Sequence, residues 1–178
     1  MAASDPAPAF ETDRLAIAPW GREIGAAAAR ARLGAALAPL LTPEITHRLP
    51  ASMGFDPARD RIGTWIARAD GDAAVYTVRL RDGGALAGLM LLFEAPDSPD
   101  GAALMLGYFL GPAFHGRGLG SELVAGLVMA LDKEPARRLL AGVDADNIGS
   151  QRVLEKAGFS RISDPDARPF FRRDCGRG

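Results

Sequence analysis

The chain has 178 residues, 48% of them hydrophobic and 24% charged, the composition of an ordinary globular domain large enough to bury a core. A formal net charge of −1 excludes a basic field for nucleic acid or an anionic membrane surface, and the longest apolar runs, "ALAGLMLLF" and "LVAGLVMAL", fall far short of a bilayer span. Cys175 is the single cysteine and can close no internal disulfide, and "MAASDPAPAF" lacks the basic and apolar regions of a secretory leader.

These features predict one cytoplasmic domain over residues 1–178, with about 1–10 and 175–178 loose. Of the 21 basic residues only Lys133 and Lys156 are lysine, which in so alanine-rich a chain reads as codon bias. In chain order, "DRLAIAPW" (Asp13–Trp20) alternates Leu15 and Ile17 with less apolar neighbours and predicts a strand. The alanine-rich "GREIGAAAARARLGAALAPLL" predicts a helix that stops near Pro39. Thr42 followed by Pro43 has the form of an N-cap and first helical residue, so a short second helix follows. Ile62, Trp65, Ile66 and Ala69 then recur at helical spacing.

The middle of the chain changes period. "AAVYTVRLRDGGALAGLMLLFEA" holds two β-rich runs about the turn "RDGG". A second turn, "APDSPDG", leads into "AALMLGYFLG" and completes an antiparallel meander. Leu119, Leu123, Leu127 and Leu131 form one helix face, with Pro135 just past its end. "RRLLAGVDA" reads as a strand, and "DNIGSQRVLEKAGF" as a helix with Asn147 as N-cap and Gly158 at C′. Two short β-like pieces, "FSRIS" and "RPFFRRD", finish the chain. The fold class is α+β. A mixed, mostly antiparallel central sheet is flanked by helices, with one parallel β-α-β crossover between Leu104 and Ala145.

The link into that crossover, "PAFHGRGLGSEL" (Pro112–Leu123), sets Gly116, Gly118 and Gly120 directly before the leucine-faced helix. Glycines there let backbone N–H groups face a ligand, and the helix dipole favours an anion. Arg117 adds a charge and Ser121 a hydroxyl, which suits a phosphate or pyrophosphate; a tight turn with glycines that only relieve sterics is the plainer alternative. "GPAFHGRG" lacks the lysine and hydroxyl of a Walker loop, and G-x-G-x-G is not the G-x-G-x-x-G of a dinucleotide loop. His47 and His115 are isolated, so no metal-ligand cluster is expected, and no G-x-S-x-G nucleophile elbow occurs.

"FHGRGLGSEL" followed by "DADNIGSQRVLEKAGF" resembles the GNAT superfamily of acyl-CoA-dependent N-acetyltransferases. Gly118 and Gly120 fit its [Q/R]-x-x-G-x-[G/A] loop. Asn147, Ser150, Leu154, Lys156, Gly158 and Phe159 fill its N-x-x-[A/S]-x-x-x-[Y/L]-x-K-x-G-F segment. "FETDRLAIAPW" is similar to the first strand of the branch that acetylates ribosomal-protein N-termini. The sequence departs from the pattern at His115, where glutamine or arginine is usual, and at Leu154, where many members carry a tyrosine thought to protonate the leaving thiolate.

The resemblance implies acetyl-CoA as co-substrate, no metal, and a primary amine, either an N-terminal peptide or a small amine, as acceptor. It implies pantetheine pairing with the backbone of Tyr108, Phe109 and Leu110, with an N–H near Phe109 polarising the thioester carbonyl. Pyrophosphate would lie over His115, Gly116, Arg117, Gly118, Leu119, Gly120 and Ser121, with Asn147 bonding a pantetheine amide or serving only as a helix cap. Ser150 is the candidate to hold the thiolate, or only a capping residue, and Glu94 the candidate base, or only a solvated strand end. Two readings follow: a direct-transfer N-acetyltransferase, and a GNAT-like CoA-binding module without turnover. Monomer and homodimer are equally compatible with the sequence.

Overall fold

The structure, a computed structural model, describes residues 6–50, 53–95 and 103–177. Its strands are β1 (Phe10–Glu11), β2 (Leu15–Pro19), β3 (Ala74–Leu80), β4 (Leu86–Glu94), β5 (Ala103–Leu110), β6 (Arg137–Gly142), β7 (Ser160–Arg161) and β8 (Phe170–Cys175). Its helices are α1 (Gly21–Ile24), α2 (Ala27–Leu37), α3 (Pro43–Thr46), α4 (Ile62–Asp72), α5 (Leu119–Leu131) and α6 (Ile148–Lys156). The strands form one sheet in the order β1-β2-β3-β4-β5-β6-β8-β7. Among the described residues β5–β6 is the one parallel pair, and α5 is its crossover. No helix among the described residues is long and apolar enough to cross a membrane.

The period-two alternation of side chains gives each face of the sheet its own core. Tyr76, Val78, Met90, Leu92, Leu104 and Leu106 pack on one face with the leucine stripe of α5 and with Leu154 of α6. Val75, Leu89, Leu91 and Phe109 pack on the other with α2, α4 and the aromatic group Trp20, Phe55 and Trp65. Trp65 meets both Trp20 and Phe55 edge-on with ring centroids 6.5 Å apart, and its Nε1–H donates to the Met53 carbonyl at 3.0 Å. All four leucines of the predicted α5 face are at most 1% exposed.

One irregularity shapes the centre of the sheet. The β3–β4 register shifts between Val78 and Arg79, and Leu86 and Leu89 consequently share a face. This is a β-bulge beside Gly88. A Cβ at Gly88 would overlap the Phe109 carbonyl oxygen, so only glycine lets β4 approach β5 this closely.

The structure corrects four expectations. The alanine-rich segment is two helices, not one: Ala26 is extended (φ −108°, ψ 138°), and the freed Ile24 carbonyl accepts from Arg30 Nε at 2.9 Å. A further short strand, β1, pairs Phe10 with Ile17. The chain before it is not loose throughout, since Ala7 is 1% exposed and exchanges backbone hydrogen bonds with the Tyr76 hydroxyl at 3.0 and 2.8 Å. Nor is the end loose from 175: Cys175 closes β8, 4% exposed, and the Arg177 N–H donates to the Glu134 carbonyl at 3.0 Å. Burial, then the nearby Asp132 carboxylate, pushes the Cys175 thiol pKa up. The turn expected over 95–101 lies, beyond Ala95, outside the described residues.

Candidate functional site

β5 is paired on both sides over only part of its length. It matches β6 at Ala103, Leu104 and Met105, and beyond that point the two strands separate while β6 stays paired with β8 as far as Gly142. The ladder with β4 shows which backbone groups face the opening. The Ala95 N–H donates to the Ala103 carbonyl and the Gly111 N–H to the Ala87 carbonyl, with no register shift between. Antiparallel bonds alternate, so Phe109 directs its N–H and C=O to Leu89 of β4, while Tyr108 and Leu110, past the last pair with β6, direct theirs to the open edge. The Phe109 N–H therefore points away from the opening, and the N–H groups near it that face the opening belong to Tyr108 and Leu110. Phe109 turns its side chain into the α2/α4 core and its backbone to β4.

The chain then turns through a 3-10 segment, Pro112–Phe114, and His115 folds back so that its Nε2 lies 2.7 Å from the Leu110 carbonyl oxygen. Gly116 (φ +70°) and Gly118 (φ +75°) take the left-handed conformation that other residues resist. Gly118 is the N-cap of α5 and carries no side-chain acceptor, so the N–H groups of Leu119, Gly120 and Ser121 are left open at the positive end of a thirteen-residue helix. The Leu119 side chain is buried, so only its backbone reaches this end. Gly120 has no positive φ. A Cβ there would lie 3.6 Å from Val153 of α6 and 3.8 Å from the Tyr108 ring, which marks where α5, α6 and β5 converge.

Across the opening stands the first turn of α6. Asn147 caps it, its Oδ1 accepting from the Ser150 N–H at 3.2 Å, and its Nδ2 is a donor that the cap does not use. The Tyr108 hydroxyl lies 3.4 Å from Ser150 Oγ. Burial raises the Tyr108 pKa above its ordinary value, and the Ser150 contact offsets only part of that rise. Glu94 is not brought to this group. It is exposed at the far end of β4, opposite Leu104, about four residues or roughly 13 Å along β5 from Tyr108.

Sequence reading missed the residues that hold the loop in place. Glu122, in the first turn of α5, accepts from Thr12 Oγ1 (2.5 Å), the Arg14 N–H (2.8 Å) and Arg14 Nε (2.6 Å). Arg14 Nη1 in turn donates to the Arg117 carbonyl at 2.9 Å. Arg14 and Glu122 are 108 positions apart, so no local spacing signals the pair; only the acidic residue in a first helical turn was visible. Asp13, Arg14, Arg81, Asp82 and Arg117 rim an open groove of about 580 Å³ beside the loop. The Arg117 side chain is exposed at its edge.

With this geometry in view, comparison with known proteins gives a consistent result. A family model described as "Acetyltransferase (GNAT) domain" matches residues 29–160. A 57-residue stretch is 46% identical to "Probable N-acetyltransferase YjcK" of Bacillus subtilis (strain 168), and the match spans 32% of this chain and 32% of that protein's length. A GNAT-family acetyltransferase structure from Bacillus anthracis superposes with a TM-score of 0.67 at 17% identity, covering 93% of this chain and 96% of that one. RimL, a ribosomal L7/L12 alpha-N-protein acetyltransferase crystallised with coenzyme A, superposes with a TM-score of 0.65 at 13% identity, covering 92% and 96%.

Proposed function

Because this chain belongs to the GNAT acetyltransferase family, we propose that it transfers an acetyl group from acetyl-CoA directly to a primary amine. The observation that carries the reading is the meeting of two unsatisfied edges. The open N–H groups of Leu119, Gly120 and Ser121 lie beside the stretch of β5 where the Tyr108 backbone and the Leu110 N–H have no partner strand. One edge suits a pyrophosphate and the other an extended chain of amides, and acetyl-CoA carries both in sequence.

On this reading the pyrophosphate rests on the backbone from Gly116 to Ser121, with Arg117 balancing its charge. Pantetheine runs down the open edge of β5, and Asn147 Nδ2 reaches one of its amides while Oδ1 keeps the cap. The amine nitrogen attacks the thioester carbon while the Tyr108 or Leu110 N–H polarises the carbonyl. Ser150 hydrogen-bonds the departing sulfur. Glu94 is assigned no step, and the amine proton leaves to water. The acceptor we infer is a peptide N-terminus. The opening strand "FETDRLAIAPW" and the likeness to RimL support that choice over a small free amine.

The test is thermal denaturation with acetyl-CoA, ATP and NAD, followed by CoA-thiol release over N-terminal peptides and small amines. Acetyl-CoA alone should raise the melting temperature, and a peptide N-terminus should release thiol fastest. Binding without release to any amine would leave a CoA-binding module instead. Stabilisation by ATP or NAD but not acetyl-CoA would remove the donor assignment.

A further inference from the structure

We propose that the Tyr108 hydroxyl, acting beside Ser150, is the proton donor to the departing thiolate. The proposal rests on the acetyl-transfer reading and names the acid which that reading leaves open. Three observations carry it. Tyr108 belongs to the unpaired stretch of β5, so its backbone faces the opening. Its ring lies on the α5/α6 face, packed against the core and beside Gly120. Its hydroxyl ends at the first turn of α6, 3.4 Å from Ser150 Oγ.

That separation exceeds the roughly 2.5–3.0 Å of a full O–H···O bond, so neither hydroxyl is committed to the other. Both can turn to a third atom between them, and a sulfur at the end of a chain lying along β5 is such an atom. Ser150 is the third residue of a capped nine-residue helix, where the helix dipole lowers the cost of a nearby negative charge. Leu154, one turn further along the same face, is buried and carries no donor. Between the two hydroxyls the roles divide by acidity. A phenol ionises at about 10 in water, whereas an alcohol is a far weaker acid, so Ser150 holds the sulfur and Tyr108 supplies the proton. Burial keeps that phenol protonated throughout the neutral range.

The step balances. The amine nitrogen forms a C–N bond to the carbonyl carbon and releases its proton to water. The C–S bond breaks with its electron pair on sulfur, and the Tyr108 proton moves to that sulfur to give the thiol of CoA. The phenolate then regains a proton from water, so amide and thiol are the products and the enzyme is unchanged.

Tyr108→Phe keeps the ring and removes the hydroxyl. Acetyl-CoA and desulfo-CoA affinities should stay within twofold of wild type by calorimetry. Turnover should fall about 100-fold, the scale of one general acid, and the descending alkaline limb of the kcat–pH profile should disappear. Wild-type turnover with the alkaline limb intact in the variant overturns the proposal and leaves the acetyl-transfer reading standing. Parallel loss of desulfo-CoA affinity and turnover also overturns it, because a packing role accounts for both. If the wild-type protein binds neither acetyl-CoA nor desulfo-CoA, or binds them and acetylates no amine, the acetyl-transfer reading itself fails and takes the proposal with it.

Discussion

The two faces of the sheet are built from different chemistry, although they share every central strand. On the α2/α4 face, Trp20, Phe55 and Trp65 pack with aliphatic side chains from β3 and β4 and with Phe109 of β5. The α5/α6 face has as deep an apolar core, but its rim carries the Thr12–Glu122–Arg14 network, the Asn147 cap and the Tyr108–Ser150 pair. Strand β5 joins the two, with Phe109 turned into one core and Tyr108 turned toward the other. The contrast teaches that one face is closed by side-chain packing alone, while the other borders backbone groups left open, where we place acetyl-CoA. Damage to each should therefore be read out differently.

The largest effect expected is on the first face. Trp65 is 1% exposed and central to the aromatic group, so Trp65→Ala opens a cavity no neighbour can fill. A loss of about 3–5 kcal/mol is expected in urea denaturation. The fraction still folded should bind acetyl-CoA with wild-type affinity. A binding defect beyond what unfolding accounts for would break the separation of the two faces.

The reciprocal change is Gly118→Glu. Any side chain there is strained by the left-handed backbone, at roughly 1–2 kcal/mol, and the added carboxylate stands at the open end of α5. A Cβ at this position lies 3.6 Å from Arg14 Nη2, so the new carboxylate also competes with Glu122 for that guanidinium. Acetyl-CoA affinity should fall more than tenfold by calorimetry, with Gly118→Ala separating strain from charge. Unchanged affinity in a folded Gly118→Glu protein would remove the loop from the binding site.

The same contrast explains what could be read in advance. The glycine loop, the α5 leucine stripe, the Asn147 cap and the Gly158 terminator are local patterns, and each was legible because backbone geometry or period alone dictates it. Residues whose roles depend on distant partners were not. Gly88 looks like any strand glycine until Phe109 is placed against it, and Arg14 looks like a solvated strand residue until α5 docks beside it. The break at Ala26 was hidden for a related reason: alanine favours helix locally, and only the Arg30 bond to the Ile24 carbonyl shows where the helix yields. Which of Tyr108, Phe109 and Leu110 turns its backbone away from β4 was likewise hidden, because ladder phase is set by the bonds to Ala87 and Ala95 on the partner segment.

The smallest effect expected sharpens the comparison where the α5/α6 face meets β2. Burial pushes the Glu122 pKa up, but the Thr12 hydroxyl, the Arg14 N–H and the Arg14 guanidinium together outweigh it and hold the carboxyl below its ordinary value. A carboxyl depressed on folding adds stability above its unfolded pKa, about 4.3, and that stability is lost as pH falls through the folded value. Glu122→Gln keeps the shape and removes the charge. Because Arg14 is half exposed, its ion pair contributes at most about 1 kcal/mol. The variant should therefore melt only slightly lower at pH 7, and the gap should close below about pH 4 and shrink in high salt. Acetyl-CoA affinity should weaken about two- to threefold, since Arg14 also holds the Arg117 carbonyl. A stability gap constant from pH 3 to 7 would mean that Glu122 acts through packing alone, and that the α5/α6 face is held by shape as the aromatic face is.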